Sequence, residues 1–245
     1  MVSERSRTTA ISLHIGLNQV SPVVYGTDGK LYGCINDMKA MAALALKRGF
    51  QPQTFSDNQA TVKVITNRMS EIAKQLMSGD IFLLTYSGHG SQLLDTNNDE
   101  PDNLDETWCL YDGQLVDDEI FKLLSKFREN VRIIIISDSC HSGTITRNFG
   151  GLTRVEDIVS RNIDCMASGI LLSGCRENQV AYDSPKHGLF TDTLLKVWNE
   201  GQFQGTYKQF HTAISRHILN KKQSPCYLTF GKKNLKFSRQ KPFTI

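Results

Sequence analysis

The sequence has 245 residues, of which 40% are hydrophobic and 22% are charged. This length suits one large domain or two small ones with a sizeable core, and the composition excludes collagen-like, low-complexity and intrinsically disordered proteins. The formal net charge is +3 at pH 7, which is too small to predict a nucleic acid or an acidic membrane surface as a partner.

The amino-terminal residues, the lack of a long apolar run and the cysteines predict the cellular compartment. The first residues, MVSERSRTT, are polar and charged, and no apolar run approaches the ~20 residues that a membrane span needs. The sequence therefore predicts a cytoplasmic protein without a membrane partner. Six cysteines without paired spacing favour reduced thiols over disulfides in that compartment. The basic stretch from Lys221 to Lys241 is interpreted as solvated surface, with contact to an acidic partner as the alternative.

Apolar runs and amphipathic stretches alternate along the chain. The runs are short and nearly continuous, which is typical of strands buried on both faces, whereas the amphipathic stretches begin and end with helix signals. In chain order, the predicted elements are a strand at Ala10–Leu17, helices at Asn36–Arg48 and Ala60–Met77, a strand at Ile81–Tyr86, a helix at Asp117–Phe127, strands at Ile133–Ile136 and Gly169–Leu172, helices at Phe190–Asn199 and Tyr207–Asn220, and a strand at Tyr227–Phe230.

This alternation predicts an α/β fold, a three-layer α/β/α sandwich with a mainly parallel central sheet. We expect residues 1–8 to form a short amino-terminal extension and residues 9–245 to form one domain. The stretches Asp95–Asp105 and Thr144–Ser160 lack periodicity and are predicted to be long loops, which in compact domains tend to be functional or mobile.

Reactive side chains follow two of the predicted strands. In open parallel sheets, sites form beyond the carboxyl ends of the strands. There the sequence has Ser-Gly-His-Gly, which contains His89, and Ser-Asp-Ser-Cys-His-Ser-Gly, which contains Cys140. Two adjacent parallel strands would bring these residues together as a thiol nucleophile and its base. The main-chain N–H groups of Gly90 and Cys140 are the candidate oxyanion hole, since such turns can stabilise an oxyanion.

Structural interpretations of the same residues stay open. His89 alone would fit a histidine satisfied in a turn, and Cys140 alone would fit a buried structural thiol. A cysteine set among Asp, Ser, His and Gly residues favours catalysis. A structural zinc site is not predicted, because neither a C-x-x-C nor an H-x-x-x-H pair lies beside these residues.

The chain resembles the caspase-like cysteine peptidases and is most similar to the metacaspases, including the compact bacterial relatives called orthocaspases. The matching blocks are ISLHIGLNQ, LYGCINDMKAM, YSGHGSQ, LDETWCLYDG, LVDDEI, SDSCHSGT, LLSGCRENQVAYD and HGLFTDTLL, in the order of the family. Cys140 follows His89 by 51 positions, near the spacing of about 50 in caspases, although the caspase Q-A-C motif is absent. The resemblance implies Cys140 as nucleophile and His89 as general base and acid, without a third catalytic side chain.

The resemblance also implies a specificity pocket. Its residues in this chain are Cys34, Asp37, Ser87 and Asp138. Two carboxylates in a narrow pocket attract Arg or Lys and disfavour Asp before the cleaved bond. The implied function is therefore a cysteine endopeptidase that cuts proteins or peptides after basic residues. The alternative for Asp37 is a carboxylate that begins a helix beside Asn36.

Calcium activation is a further implication of the resemblance. Asp105, Asp117 and Asp118 match metacaspase calcium ligands, and hard oxygen ligands suit this ion. Arg147 stands where the family has a later aspartate, which puts calcium dependence in question. In the alternative interpretation, Asp117 and Asp118 only begin a helix. The chemistry itself requires no cofactor.

The stretch after Cys140 offers possible self-cleavage sites, and a non-enzymatic function is the alternative to peptidase activity. The stretch after the nucleophile contains Arg147, Arg154 and Arg161, which an enzyme of this specificity could cut in its own chain, and the alternative is an intact loop. We expect a monomer with no nucleic-acid partner. The other function class is a catalytically silent caspase-like scaffold or regulator, but such proteins usually lose the dyad.

Overall fold

The computed structural model describes residues 8–94, 104–141, 165–174, 186–218 and 224–245. The three arginines predicted for self-cleavage and most of the two predicted long loops lie outside these ranges. In the described part of the chain, no helix is long and apolar enough to cross a membrane.

One eight-stranded sheet forms the centre of the described structure. The strands are β1 (Ala10–Gly16), β2 (Gln51–Ser56), β3 (Ile81–Leu94), β4 (Leu104–Leu110), β5 (Gly113–Val116), β6 (Arg132–His141), β7 (Ser168–Ser173) and β8 (Cys226–Gly231). The order across the sheet is β2-β1-β3-β6-β7-β8, and the far end of β3 pairs with β4, which pairs with β5. The first five of these six strands are parallel and β8 is antiparallel to β7.

Helices cover both faces of the sheet. They are α1 (Pro22–Tyr25), α2 (Cys34–Lys47), α3 (Val62–Gln75), α4 (Asp117–Leu124), α5 (Leu189–Trp198), α6 (Tyr207–Ile218) and α7 (Leu235–Arg239), with short 3-10 turns at Asp57–Gln59 and Asn199–Gly201. Side chains of α3 and α4 belong to one hydrophobic core, and those of α2, α5, α6 and α7 belong to the other. The predicted three-layer α/β/α architecture with a mainly parallel sheet is confirmed.

The isoleucine run of β6 shows why a continuous apolar stretch predicts a central strand. Ile133 and Ile135 lie in the core beneath α3 and α4, whereas Ile134 and Ile136 lie in the core on the other face. Successive side chains of a strand point to opposite faces, so a strand covered by helices on both sides needs an apolar residue at every position.

The boundaries of several elements differ from the predicted ones. β3 continues from Tyr86 to Leu94, because beyond the parallel region it pairs antiparallel with β4. The last two residues of the predicted loop 95–105 belong to β4. The predicted helix Asp117–Phe127 ends at Leu124. The sequence pattern does not predict β2, β4, β5, α1 or α7, because these segments are short or rich in polar residues.

Candidate active site

His89 and Cys140 lie side by side at the carboxyl end of the sheet. The parallel register of β3 and β6 puts His89 opposite Cys140 and Ser87 opposite Asp138. Parallel neighbours are about 4.8 Å apart. His89 is 7% exposed, and the side chain of Cys140 lies outside the described part of the structure. The topology therefore brings the two candidate catalytic residues onto adjacent strands, at the edge where open α/β sheets form their sites.

A main-chain carbonyl orients the His89 ring. Its Nε2 lies 2.6 Å from the carbonyl oxygen of Gly29. A carbonyl oxygen only accepts hydrogen bonds, so Nε2 carries the proton, and in neutral imidazole the lone pair is then on Nδ1. The contact selects the tautomer in which Nδ1 can act as a base. The family resemblance implies no third catalytic side chain. The main-chain carbonyl of Gly29 provides the contact that orients the His89 ring.

The loop that presents Gly29 is held by polar contacts at its base. Asn18 follows β1, and its Oδ1 accepts a hydrogen bond from Ile35 N at 3.1 Å while its Nδ2 donates to Tyr32 O at 3.2 Å. The carboxylate of Asp57 accepts from Asn18 N at 2.8 Å. These bonds join both ends of the loop between β1 and α2, which fixes the position of Gly29 relative to the sheet.

Tyr86 supports the backbone of His89 from the opposite face of the sheet. Its hydroxyl lies 2.6 Å from His89 O and 3.0 Å from Cys109 O. The ring stacks on Trp108 with centroids 4.5 Å apart. Burial raises the pKa of Tyr86 well above its usual range, so the hydroxyl remains protonated and can donate. Tyr86 therefore ties the strand that carries His89 to the neighbouring β4.

Asp37 is nearly inaccessible, and three residues from two separate segments contact its carboxylate. It is 1% exposed in the first turn of α2. Its Oδ2 accepts from Ser87 Oγ at 2.8 Å and from Gly188 N at 3.1 Å. His187 Nδ1 lies 2.9 Å from the other oxygen, Oδ1. The carboxylate of Asp37 thus contacts the predicted pocket residue Ser87 while Asp37 also lies in the first turn of α2.

Asp138 and Asp37 both approach the same residue, Gly188. Asp138 Oδ2 accepts hydrogen bonds from Thr191 N at 2.9 Å and from Thr191 Oγ1 at 2.7 Å. A Cβ atom on Gly188 would lie 2.5 Å from Asp138 Oδ2 and 3.1 Å from Asp37 Oδ2. The φ of Gly188 is −61°, a value that any residue adopts. Glycine is therefore required at this position because a side chain would clash with the two carboxylates. The backbone conformation itself would permit any residue.

Cys34, the fourth predicted pocket residue, begins α2 and is buried. Its carbonyl oxygen would lie 2.5 Å from a Cβ atom on Gly16, so glycine at the end of β1 lets α2 approach the sheet. The cysteines with described side chains are buried and form no disulfides: Cys34, Cys109, Cys165 and Cys226. Burial raises the pKa of Cys109 to about 12, which makes this thiol a poor nucleophile at neutral pH.

The predicted calcium residues converge on one end of the β4–β5 hairpin. Thr107 of β4 pairs with Val116 of β5, two residues after Asp105 and immediately before Asp117 and Asp118. Asp117 is buried, and both aspartates lie in the first turn of α4, where carboxylates complement the helix dipole. Among the side chains that the structure describes, which exclude that of Asp105, no three His, Cys, Asp or Glu residues are arranged to hold a metal ion. Calcium binding by these three residues therefore stays a prediction, as does the alternative that Asp117 and Asp118 only begin a helix.

Four contributors to this region had no role assigned from the sequence. They are the carbonyl of Gly29, the amide of Gly188, the imidazole of His187 and the side chain of Thr191. The last three fall in the block HGLFTDTLL, which marked a resemblance without assigning a function. Gly29 lies in a segment that carries no motif.

Comparisons with known proteins agree with this geometry. The caspase domain matches residues 10–235 of the chain. A crystal structure of a protein from Geobacter sulfurreducens is 40% identical, with a TM-score of 0.83 over 97% of this chain and 99% of that chain. The predicted caspase-like fold is therefore confirmed.

Several curated relatives of the chain carry the name metacaspase. Metacaspase-2 of Trypanosoma brucei brucei is 31% identical over 202 residues, which cover 71% of this chain and 56% of that protein. Metacaspase-1 of Mycosarcoma maydis is 26% identical over 279 residues, which cover 87% of this chain and 68% of that protein. The match thus spans only about half the length of the trypanosome relative. The predicted resemblance to metacaspases is confirmed.

Proposed function

The chain belongs to the caspase-domain family of cysteine peptidases, and on that premise we propose that it is an endopeptidase that cuts proteins after Arg or Lys with a dyad of Cys140 and His89. The observation that carries the proposal is the register of β3 and β6, which pairs these two residues across adjacent strands. The bond from His89 to Gly29 supports it, because this bond leaves Nδ1 as the basic nitrogen.

The acylation step follows from these roles. His89 Nδ1 takes the proton of the Cys140 thiol, and the thiolate attacks the carbonyl carbon of the substrate. The negative charge that develops on the carbonyl oxygen is stabilised by the main-chain N–H groups of Gly90 and Cys140. His89 then gives its proton to the leaving amine as the C–N bond breaks, and a thioester forms between the substrate acyl group and the cysteine sulfur.

The deacylation step reverses the proton movements. Water enters where the amine has left, and His89 takes a proton from it as the oxygen attacks the thioester carbon. The C–S bond breaks, the sulfur recovers the proton from the histidine, and the carboxylic acid product departs. Throughout the cycle the carbonyl of Gly29 accepts from Nε2, so the ring stays oriented while Nδ1 exchanges its proton.

Charge in the pocket supports the basic specificity. Asp37 and Asp138 place two carboxylates around Gly188, and both residues are 5% exposed or less. A buried carboxylate is stabilised by a cation in good geometry, and a guanidinium can pair with it bidentately. An aspartate side chain in the same place would add a third negative charge to the pocket. The arrangement therefore favours Arg or Lys over Asp before the cleaved bond.

The proposal is tested with fluorogenic peptides that differ only in Arg, Lys or Asp before the reporter amide. The wild type is expected to cleave the Arg and Lys peptides, and Cys140→Ala and His89→Ala are each expected to lose more than about a thousandfold in kcat/KM. Cys226→Ala and His217→Ala are matched controls, since these residues lie outside the site. Circular dichroism checks folding. Folded wild-type protein without peptidase activity would instead support the scaffold alternative, and cleavage after Asp would contradict the pocket assignment.

A further inference from the structure

The imidazole of His187 is built into the region of the two pocket carboxylates. Its Nδ1 lies 2.9 Å from Asp37 Oδ1, and the two side chains are 16% and 2% exposed, respectively. The next residue, Gly188, donates its main-chain N–H to both oxygens of the same carboxylate, at 3.3 and 3.1 Å. This segment, 150 residues from Asp37 along the chain, therefore brings to the carboxylate one group that can change its charge.

The protonation state of that group decides the net charge of the pair. Neutral His187 donates Nδ1–H to Asp37 and leaves the carboxylate charge in place. Protonated His187 forms an ion pair with Asp37 and cancels that charge. Burial lowers the pKa of His187, so at neutral pH the neutral form prevails.

Other charged groups surround this pair. Among the described residues, Asp192 raises the pKa of His187, whereas Lys186 and Lys196 lower it. Asp138 lies beside Gly188, and His89 is on the same strand as Ser87, two residues away. The surroundings thus contain charges of both signs, so a test has to isolate the contribution of His187 from that of the other histidine.

We propose that His187 is a specificity-determining residue, which keeps Asp37 oriented and negatively charged when neutral and cancels the attraction for a basic substrate side chain when protonated. The inference rests on the proposed function of Asp37 and Asp138 as the pocket for Arg or Lys. When His187 is protonated, an entering guanidinium meets a net charge of minus one in place of minus two. Its attraction is weaker because the imidazolium charge offsets the carboxylate of Asp37. Basic ligands therefore bind more weakly as the pH falls, whereas neutral ligands of the same shape do not.

Benzamidine is a suitable probe, because its amidinium is a planar cation like the arginine head group. Its dissociation constant is measured by calorimetry at pH 8 and pH 5 for the wild type, His187→Asn and His187→Gln. The Asn amide can place an N–H donor near the Nδ1 position and cannot be protonated. We expect wild-type binding to weaken measurably at the lower pH, since the protonated fraction of His187 opposes the bound cation. In the folded variants, the dissociation constant should change little between the two pH values, whatever its value at pH 8. Benzamide, the neutral analogue, controls for shape.

The outcomes separate this inference from the function on which it rests. A wild-type protein that binds benzamidine at pH 8, and loses that binding in Asp138→Asn, but shows the same pH dependence with and without His187, overturns the role of His187 alone. A wild-type protein that binds no benzamidine at pH 8 overturns the basic pocket and the inference with it. A pH profile that flattens only when His187 is replaced supports both.

Discussion

Replacement of Asp138 by asparagine removes one pocket charge while keeping the shape of the side chain. Thr191 N and Oγ1 both donate to Asp138 Oδ2, and the amide oxygen of asparagine can accept both bonds. Each bond loses its charge assistance, a difference of about 1 kcal/mol. Because a buried charge is removed at the same time, we expect the free energy of unfolding to change by about 2 kcal/mol or less.

The effect on a basic substrate is expected to be much larger. Loss of one partner of a buried charge pair costs about 2–5 kcal/mol, which corresponds to a decrease of roughly 30-fold to several thousandfold in kcat/KM for an Arg peptide. A peptide with a neutral residue at the same position should change little. Asp192→Asn, on the same helix as Thr191 and paired with Lys196, is the matched control. A folded Asp138→Asn protein with an unchanged ratio of Arg to neutral cleavage would refute the reasoning.

Three further predictions concern stability, self-processing and metal binding. Burial lowers the pKa of His14 to about 3, so the unfolded state binds the proton more tightly, and the stability present above pH 6.5 is lost as the pH falls toward 3. Urea unfolding at pH 7 and pH 4.5 should show about 2 to 3 kcal/mol less acid destabilisation in His14→Gln than in the wild type, and equal losses would contradict this assignment. Self-cleavage predicts fragments in the wild type but not in Cys140→Ala, with new carboxyl termini at Arg147, Arg154 or Arg161 by mass spectrometry, whereas an intact and fully active chain would remove the idea. Calcium binding through Asp105, Asp117 and Asp118 predicts heat in a CaCl₂ titration that Asp118→Asn weakens at least about tenfold, and no binding at about 10 mM would contradict it.

The sequence predicts a strand best where burial of both faces imposes a continuous apolar run. The isoleucine run of β6 predicts a central strand because both faces of that strand are covered. By contrast, β2 has the sequence QPQTFS and lies at the edge of the sheet. An edge strand tolerates polar residues and proline, so this strand has no apolar pattern by which it could be predicted. The extension of β3 depends on pairing with β4, a partner with no apolar alternation of its own.

Within the candidate site, single residues could be proposed from motifs, but their partners could not. Parallel strand ends suggested that His89 and Cys140 are neighbours, and the register places them opposite each other. The contact from His89 to Gly29 spans 60 residues and uses a main-chain carbonyl, which any residue type supplies. The contact from His187 to Asp37 spans 150 residues. Such contacts depend on how loops close over the sheet, and residue spacing does not encode that geometry.

Covalent trapping of the nucleophile is the most direct test of the central claim, that Cys140 attacks substrates with a basic residue before the cut. The protein is incubated with two peptidyl acyloxymethyl ketones that differ only in Arg or Asp at that position, and the modified residue is identified by peptide mass spectrometry. We expect the Arg reagent to label Cys140 much faster than the Asp reagent, and His89→Ala to abolish the rapid labelling. Labelling at another cysteine, or faster labelling by the Asp reagent, would contradict the account.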